Sequence, residues 1–216
     1  MLKTLKDRIY YEYPYKNDTV IPAKLSVTEI THKGNGEVIL SAPKFMAESG
    51  LTPTQKGTIF HRALQFADFA LGKEDAQKEL DRLIEKGYIS SAEAEAIDIE
   101  KLKAFFNSPL TERILNADRV LREYKFFDTI SANEAGYEGD SEVLIQGIAD
   151  CVLEENQKGV LIDFKTDVVS NGQVLKKRYQ KQMELYRRTL KNIFPNGMDE
   201  CILYSVHLGE EITIKF

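Results

Sequence analysis

The sequence predicts an α/β fold, a central mixed sheet flanked by helices, with a helical elaboration ahead of the sheet. Three observations predict it. Helix-period segments occupy residues 52 to 116, strand-like runs rich in Val, Ile, Phe and Tyr follow over residues 119 to 166, and a cationic helix separates these from two closing apolar runs.

With 216 residues and 43% hydrophobic composition, the chain can bury one substantial core. We expect one domain over residues 51–216. Residues 1–50 are expected to form an irregular arm or linker wrapping it, because Tyr10, Tyr11, Tyr13 and Tyr15 are interspersed and followed by Pro14, Pro22, Gly34, Gly36 and Pro43. Thr52-Pro53-Thr54-Gln55 starts the first long helix: Thr52 caps, Pro53 suits the first turn and Gln55 completes a capping box, with the helix running to about Leu71. Further helices are expected over residues 76–86, 91–107 and 110–116. Strands are expected over 119–128, 142–154 and 160–166, and, after a helix opened by Asn171-Gly172, over 200–207 and 212–216.

No apolar run of about 18 residues and no signal-peptide pattern occurs, so a soluble, cytoplasmic protein with no membrane partner is expected. Cys151 and Cys201, each in an apolar run, read as buried thiols, and two cysteines are too few for an iron-sulfur cluster. The sequence lacks the G-x-x-x-x-G-K-[ST] pattern, so no nucleotide triphosphate site is expected. A net charge of −5 argues against a wholly basic surface. Between Gln173 and Ile193, however, Lys176, Lys177, Arg178, Lys181, Arg187, Arg188 and Lys191 face a single acid, Glu184. Such a stripe is a solvated helix face or a grip on phosphates.

Asp150 and Asp163 lie inside strands that are otherwise nearly all apolar, and buried carboxylates need partners. If Glu155-Asn156-Gln157-Lys158-Gly159 is a hairpin connection with residue 154 opposite 159, Asp150 faces Asp163. Opposed side chains in an antiparallel pair stand roughly 4.5 to 5.5 Å apart, where like charges destabilise. A divalent cation offsets that repulsion, and magnesium favours carboxylate oxygen. A register slip of two residues would remove the juxtaposition. Lys165, two residues beyond Asp163, emerges on the same face, with Ile162 and Phe164 on the other. An ammonium there could orient an attacking water, favour its deprotonated form or stabilise charge on a phosphate; the bland reading is a salt bridge on an exposed sheet face.

Gly147-Ile148-Ala149-Asp150 with Ile162-Asp163-Phe164-Lys165-Thr166 resembles the G-x-x-D and D-Y-K-T motifs of RecB-type nucleases of the PD-(D/E)XK superfamily. Gly57-Thr58-Ile59-Phe60-His61 is similar to that family's G-T-x-x-H helix motif, Arg122-Glu123-Tyr124-Lys125-Phe126 to its R-E-x-x-F strand, and the run from Tyr179 to Tyr186 to its Y-x-x-Q-x-x-x-Y motif. The segment from Pro22 to Ile30 resembles the lead into the nuclease domain of AddA-type helicase-nuclease subunits.

The resemblance implies a restriction-endonuclease-like core and a metal site held by His61, Asp150, Asp163 and the backbone carbonyl of Phe164. Lys165 would be the catalytic lysine and Glu123 an acidic residue associated with the site. Gln182 and Tyr186 would support the site or contact DNA, and Lys177, Lys181 and Arg188 of the basic helix are candidate DNA contacts. It implies magnesium-dependent hydrolysis of single-stranded DNA, with manganese as a substitute given the histidine. The implied setting is an ATP-dependent helicase-nuclease for double-strand break repair. The implied partners are single-stranded DNA ends, the helicase motor of a parent chain and a second, AddB-like subunit. The chain departs from the family in having Phe164 where tyrosine is common, and in carrying no motor ahead of the domain, so it is expected to be an excised piece. A degenerate module of the same fold, binding DNA or docking another subunit, is the alternative.

Overall fold

A computed structural model describes residues 17–32 and 51–216; the tyrosine run, Pro14, Gly34, Gly36 and Pro43 of the expected arm lie outside the described residues. The helices are α1 (Val27–His32), α2 (Pro53–Phe66), α3 (Phe69–Glu74), α4 (Ala76–Glu85), α5 (Ser91–Ala94), α6 (Ile99–Phe106), α7 (Pro109–Asn116) and α8 (Gly172–Leu190). At the start of α2 the Thr52 side chain accepts from the Gln55 N–H, and the Gln55 side chain accepts from the Thr52 N–H.

That helix stops at Phe66 instead of about Leu71. Ala67 turns extended, and Asp68 accepts from the N–H groups of Ala70 and Leu71 to start α3. The helix expected over 91–107 is likewise divided, because Asp98 caps α6 through the N–H groups of Glu100 and Lys101. In both places a short acidic side chain competes for backbone donors while the apolar spacing runs on undisturbed.

The sheet contains β1 (Lys24–Ser26), β2 (Arg119–Ser131), β3 (Glu142–Glu155), β4 (Lys158–Lys165), β5 (Met198–Ser205) and β6 (Glu210–Ile214). β2 runs antiparallel along one edge of β3. The other edge is shared: β1 lies parallel to residues 144–146 and β4 pairs antiparallel from Cys151 onward. β5 is parallel to β4, and β6 antiparallel to β5, so the sheet is mixed as expected. Residues 24–32 correct the expectation of an irregular arm over 1–50, since they supply β1 and α1; three residues are too few to display strand alternation.

Helices α2 to α7 cover one face of the sheet, where Ile162, Phe164 and Tyr204 pack with Phe105; α1 and α8 cover the other, where Leu161 and Leu203 pack with Met183 and Leu190. Phe164 and Leu161 thus point to opposite layers, as alternation requires. Among the described residues no helix is long and apolar enough to cross a membrane.

Cys151 and Cys201 are free and buried in opposite layers, and burial pushes each thiol up to about 12. Neither should react with a maleimide at neutral pH in the native protein, and both should react in urea. Mass spectrometry of native and unfolded samples checks this; stoichiometric native labelling would contradict the packing.

Candidate active site

The hairpin register is the expected one: Glu154 pairs with Gly159, and pairing continues to Cys151 and Ile162. There the ladder ends, one step before Asp150 and Asp163. Asp150 Oδ2 instead accepts from the Phe164 N–H at 2.8 Å. On the other side, β2 pairs Arg122 with Cys151 and Tyr124 with Ala149 but leaves Glu123 without a pairing partner, and Glu123 has φ 48°. A left-handed backbone at a non-glycine residue costs about 1–3 kcal/mol and persists only where its surroundings impose it. The strain turns Glu123 out of strand alternation and into a cleft of about 740 Å³ with His61 and Asp150.

His61, on α2, places Nδ1 3.4 Å from Asp150 Oδ2. One donor atom each from His61, Glu123 and Asp150 lies within 4.8 Å of the others. Asp163 is 2% exposed. Lys165 Nζ is 2.6 Å from its Oδ2, yet the direction makes no hydrogen bond and leaves that buried oxygen without one. Oδ1 of Asp163 meets Gln182 Nε2 at 3.5 Å, the outer limit of such a bond. The Lys165 ammonium sits 4.1 Å from the centroid of Tyr179, whose hydroxyl donates to Asp167. A cation over a ring contributes about 0.5–2 kcal/mol depending on desolvation. Tyr186 hydrogen-bonds Gln182 and packs edge-on against Phe126 at 4.9 Å.

These charges divide the carboxyls. Burial holds Asp163 above the usual carboxylate range, opposed by Lys165 and reinforced by the charge of Asp150. Burial pushes Asp150 the same way, but the His61 hydrogen bond and charge, with Lys165 and the Phe164 N–H, bring it below its ordinary value. Burial and Asp150 raise Glu123. Burial would lower His61 and Lys165; the anions of Asp150 and Asp163 outweigh it and raise both.

An imidazole, two carboxylates within reach of one another and a third with an orphaned buried oxygen are a donor set that fits a divalent cation. Sequence reading placed Asp163 in the ligand set and Glu123 beside it; the structure brings Glu123 into the close group and sets Asp163 against Lys165. The R-E-x-x-F motif pointed to Glu123, but its place level with Asp150 comes from the pairing of β2 with β3 and from its left-handed backbone.

The motif glycines and arginine hold these elements together. A Cβ at Gly57 would stand 2.7 Å from Thr166 Oγ1, so glycine lets α2 approach the end of β4 one turn before His61. A Cβ at Gly147 would fall 2.1 Å from the ring of Phe126. Arg122 donates to the carbonyls of Gln65 and Ala67 and stacks on Phe69 at 4.0 Å, fixing the C-terminal end of the helix that carries His61.

Lys177 and Lys181 are exposed on the face of α8 turned away from Gln182 and Tyr186, and Arg188 on that face pairs with Glu134. Sequence reading did not single out Arg62, or Arg178 as a site residue, although both line the cleft; Arg178 also pairs with Asp167.

A family model described as the PD-(D/E)XK nuclease superfamily matches residues 37–208. The chain belongs to that superfamily. It is also similar to bacterial proteins named as ATP-dependent helicase/nuclease subunits. Identity is 33% with the one from Bacillus cytotoxicus, covering 97% of this chain and 20% of the relative, and 34% with the one from Thermoanaerobacter sp. strain X514, covering 94% and 18%. A third, from Geobacillus kaustophilus, is 33% identical, covering 99% of this chain and 20% of the relative. The chain thus spans about a fifth of the length of these curated relatives.

The ion pair of Lys165 with Asp163 is open to test. In a chelator-treated sample, Lys165→Met should cost about 3 kcal/mol at pH 8, because it strands an ionised buried carboxylate. Without the ammonium, Asp163 is raised further, so the penalty should shrink as pH falls toward the ordinary carboxylate range and the group protonates. Urea unfolding at pH 8 and pH 5 measures it; an equal loss at both would mean that the side chain matters only for packing.

Proposed function

We propose that the chain is the nuclease part of an ATP-dependent helicase-nuclease and that it hydrolyses phosphodiester bonds of single-stranded DNA. The observation that carries this reading is the meeting of His61, Glu123 and Asp150 beside the Lys165–Asp163 pair. Magnesium, with manganese as a substitute accepted by the histidine, would be held by His61, Asp150 and Asp163, with the Phe164 carbonyl and Glu123, and when bound would supply Lewis-acid activation of water and phosphate.

The protein's own groups divide the remaining work. Asp163 and Asp150 flank Lys165 and favour its charged form, so its ammonium is placed to face charge that develops on the phosphate. Tyr179 and Asp163 fix the direction of that ammonium. Gln182 steadies Asp163, and Tyr186 steadies Gln182. Arg62 and Arg178 in the cleft offer cations to flanking phosphates.

A degenerate module that only binds DNA or docks another subunit is less well supported. Strain at Glu123 and the burial of Asp163 both cost stability, and such costs persist where a site uses them. Partners in this reading are single-stranded DNA ends, the helicase motor of the parent chain and an AddB-like second subunit. Lys177, Lys181 and Arg188 would meet DNA phosphates on the outer face of α8.

Linear single-stranded DNA incubated with magnesium or manganese should be cut, and EDTA should stop the cutting. Asp163→Ala and Lys165→Ala should each lose at least about 100-fold in rate; residual cutting equal in parent and variants would defeat the reading. Charge reversal at Lys177, Lys181 and Arg188 should weaken DNA binding and reduce its salt slope by roughly one unit per lost phosphate contact. A slope that stays put would place the DNA elsewhere.

A further inference from the structure

We propose that a second cavity beside the catalytic groups binds a nucleobase of the substrate strand, stacked on Phe127. The inference rests on the single-stranded DNA reading above and names a subsite for it. The cavity measures about 610 Å³ and shares Asp150 and Lys165 with the cleft that holds His61; Asp163, Gln146, Ile148 and Phe127 also line it. It exists because β1 ends at Gln146 and β4 begins pairing at Cys151, leaving the edge of β3 open over residues 147–150.

Phe127 is 60% exposed and Ile148 43% exposed, a large apolar pair left open next to a catalytic centre. Neighbouring Phe126 points into the core, so alternation directs Phe127 to the opposite face. The cross-strand partners set the pattern: Phe127 is opposite Gln146, and Ile148 is opposite exposed Lys125. Lys24, on β1, holds its ammonium 5.6 Å from the Phe127 centroid. An open ring face, an aliphatic flank and two ammonium groups match a flat aromatic ligand on an anionic backbone. An anionic backbone gives the Lys24 ammonium beside the ring a counter-charge that an apolar polypeptide segment does not, so a nucleotide is the better match. Stacking on a ring accepts every base, which suits a nuclease without sequence preference. With one base held here, the strand can run along the open edge of β3 to Asp150 and Lys165, which line the same cavity.

The test uses a single-stranded oligothymidylate and the same strand with one abasic nucleotide placed at successive positions, cut in magnesium. Parent protein should cut one phosphate, at a fixed offset from the missing base, about tenfold more slowly than the same phosphate in the intact strand. Phe127→Ala should raise KM for the intact strand about tenfold, leave kcat within about twofold and no longer sense the missing base, while Phe127→Tyr keeps the parent behaviour. Because Phe127 is exposed, the variants should melt close to the parent, and the abasic measurement on the parent needs no variant at all. Cutting that ignores the missing base, or an unchanged KM in Phe127→Ala, overturns the subsite alone. Failure of the parent to cut the intact strand overturns the nuclease reading and the subsite with it.

Discussion

Two carboxylates set into an apolar sheet, with one ammonium beside them, are the constraint around which this molecule is arranged. Asp163 is almost wholly buried, and Asp150 shares its field with His61 and Lys165. Charges taken out of water cost several kcal/mol each unless geometry returns it. Here the return is incomplete, since one oxygen of Asp163 has an ion-pair partner but no hydrogen bond. The sheet opens at that point: β3 and β4 stop pairing, β2 leaves out Glu123, and β1 ends short.

The two helical layers serve this opening differently. The layer of α2 to α7 is built on aromatic packing around Phe105, and delivers His61 and Arg62 to the cleft on a helix held by the close approach at Gly57 and by the Arg122 clamp. Helix α8 on the other face delivers Tyr179, Gln182 and Tyr186 from a single side, each touching a group that carries charge or supports one that does. Its outer face is free to stay basic. One helix therefore holds Lys165 from within and presents cations to whatever approaches from without.

The proton affinities in the site are driven apart. Two anions favour the charged form of Lys165, and the carboxylates themselves differ, one raised and one lowered. Pairs of titratable groups driven apart by their surroundings are characteristic of working sites. Membership of the PD-(D/E)XK superfamily agrees with that arrangement.

Much of the fold was legible because it is written locally. The capping box at Thr52, the hairpin after Glu155, the alternation that separates Lys165 from Phe164 and the spacing of Gln182 and Tyr186 all depend on neighbours a few residues apart. Breaks at Asp68 and Asp98 were hidden, because a capping carboxylate leaves the apolar period intact. Strand β1 was hidden by its length. The place of Glu123 among the donor atoms, the open edge between β1 and β4 and the exposure of Phe127 beside it were decided only by tertiary structure. The open edge requires β1 to lie beside a strand far from it in sequence, and the place of Glu123 requires a backbone strain that its own residue type disfavours. Local chemistry named the acids and the lysine; long-range pairing chose which of them meet.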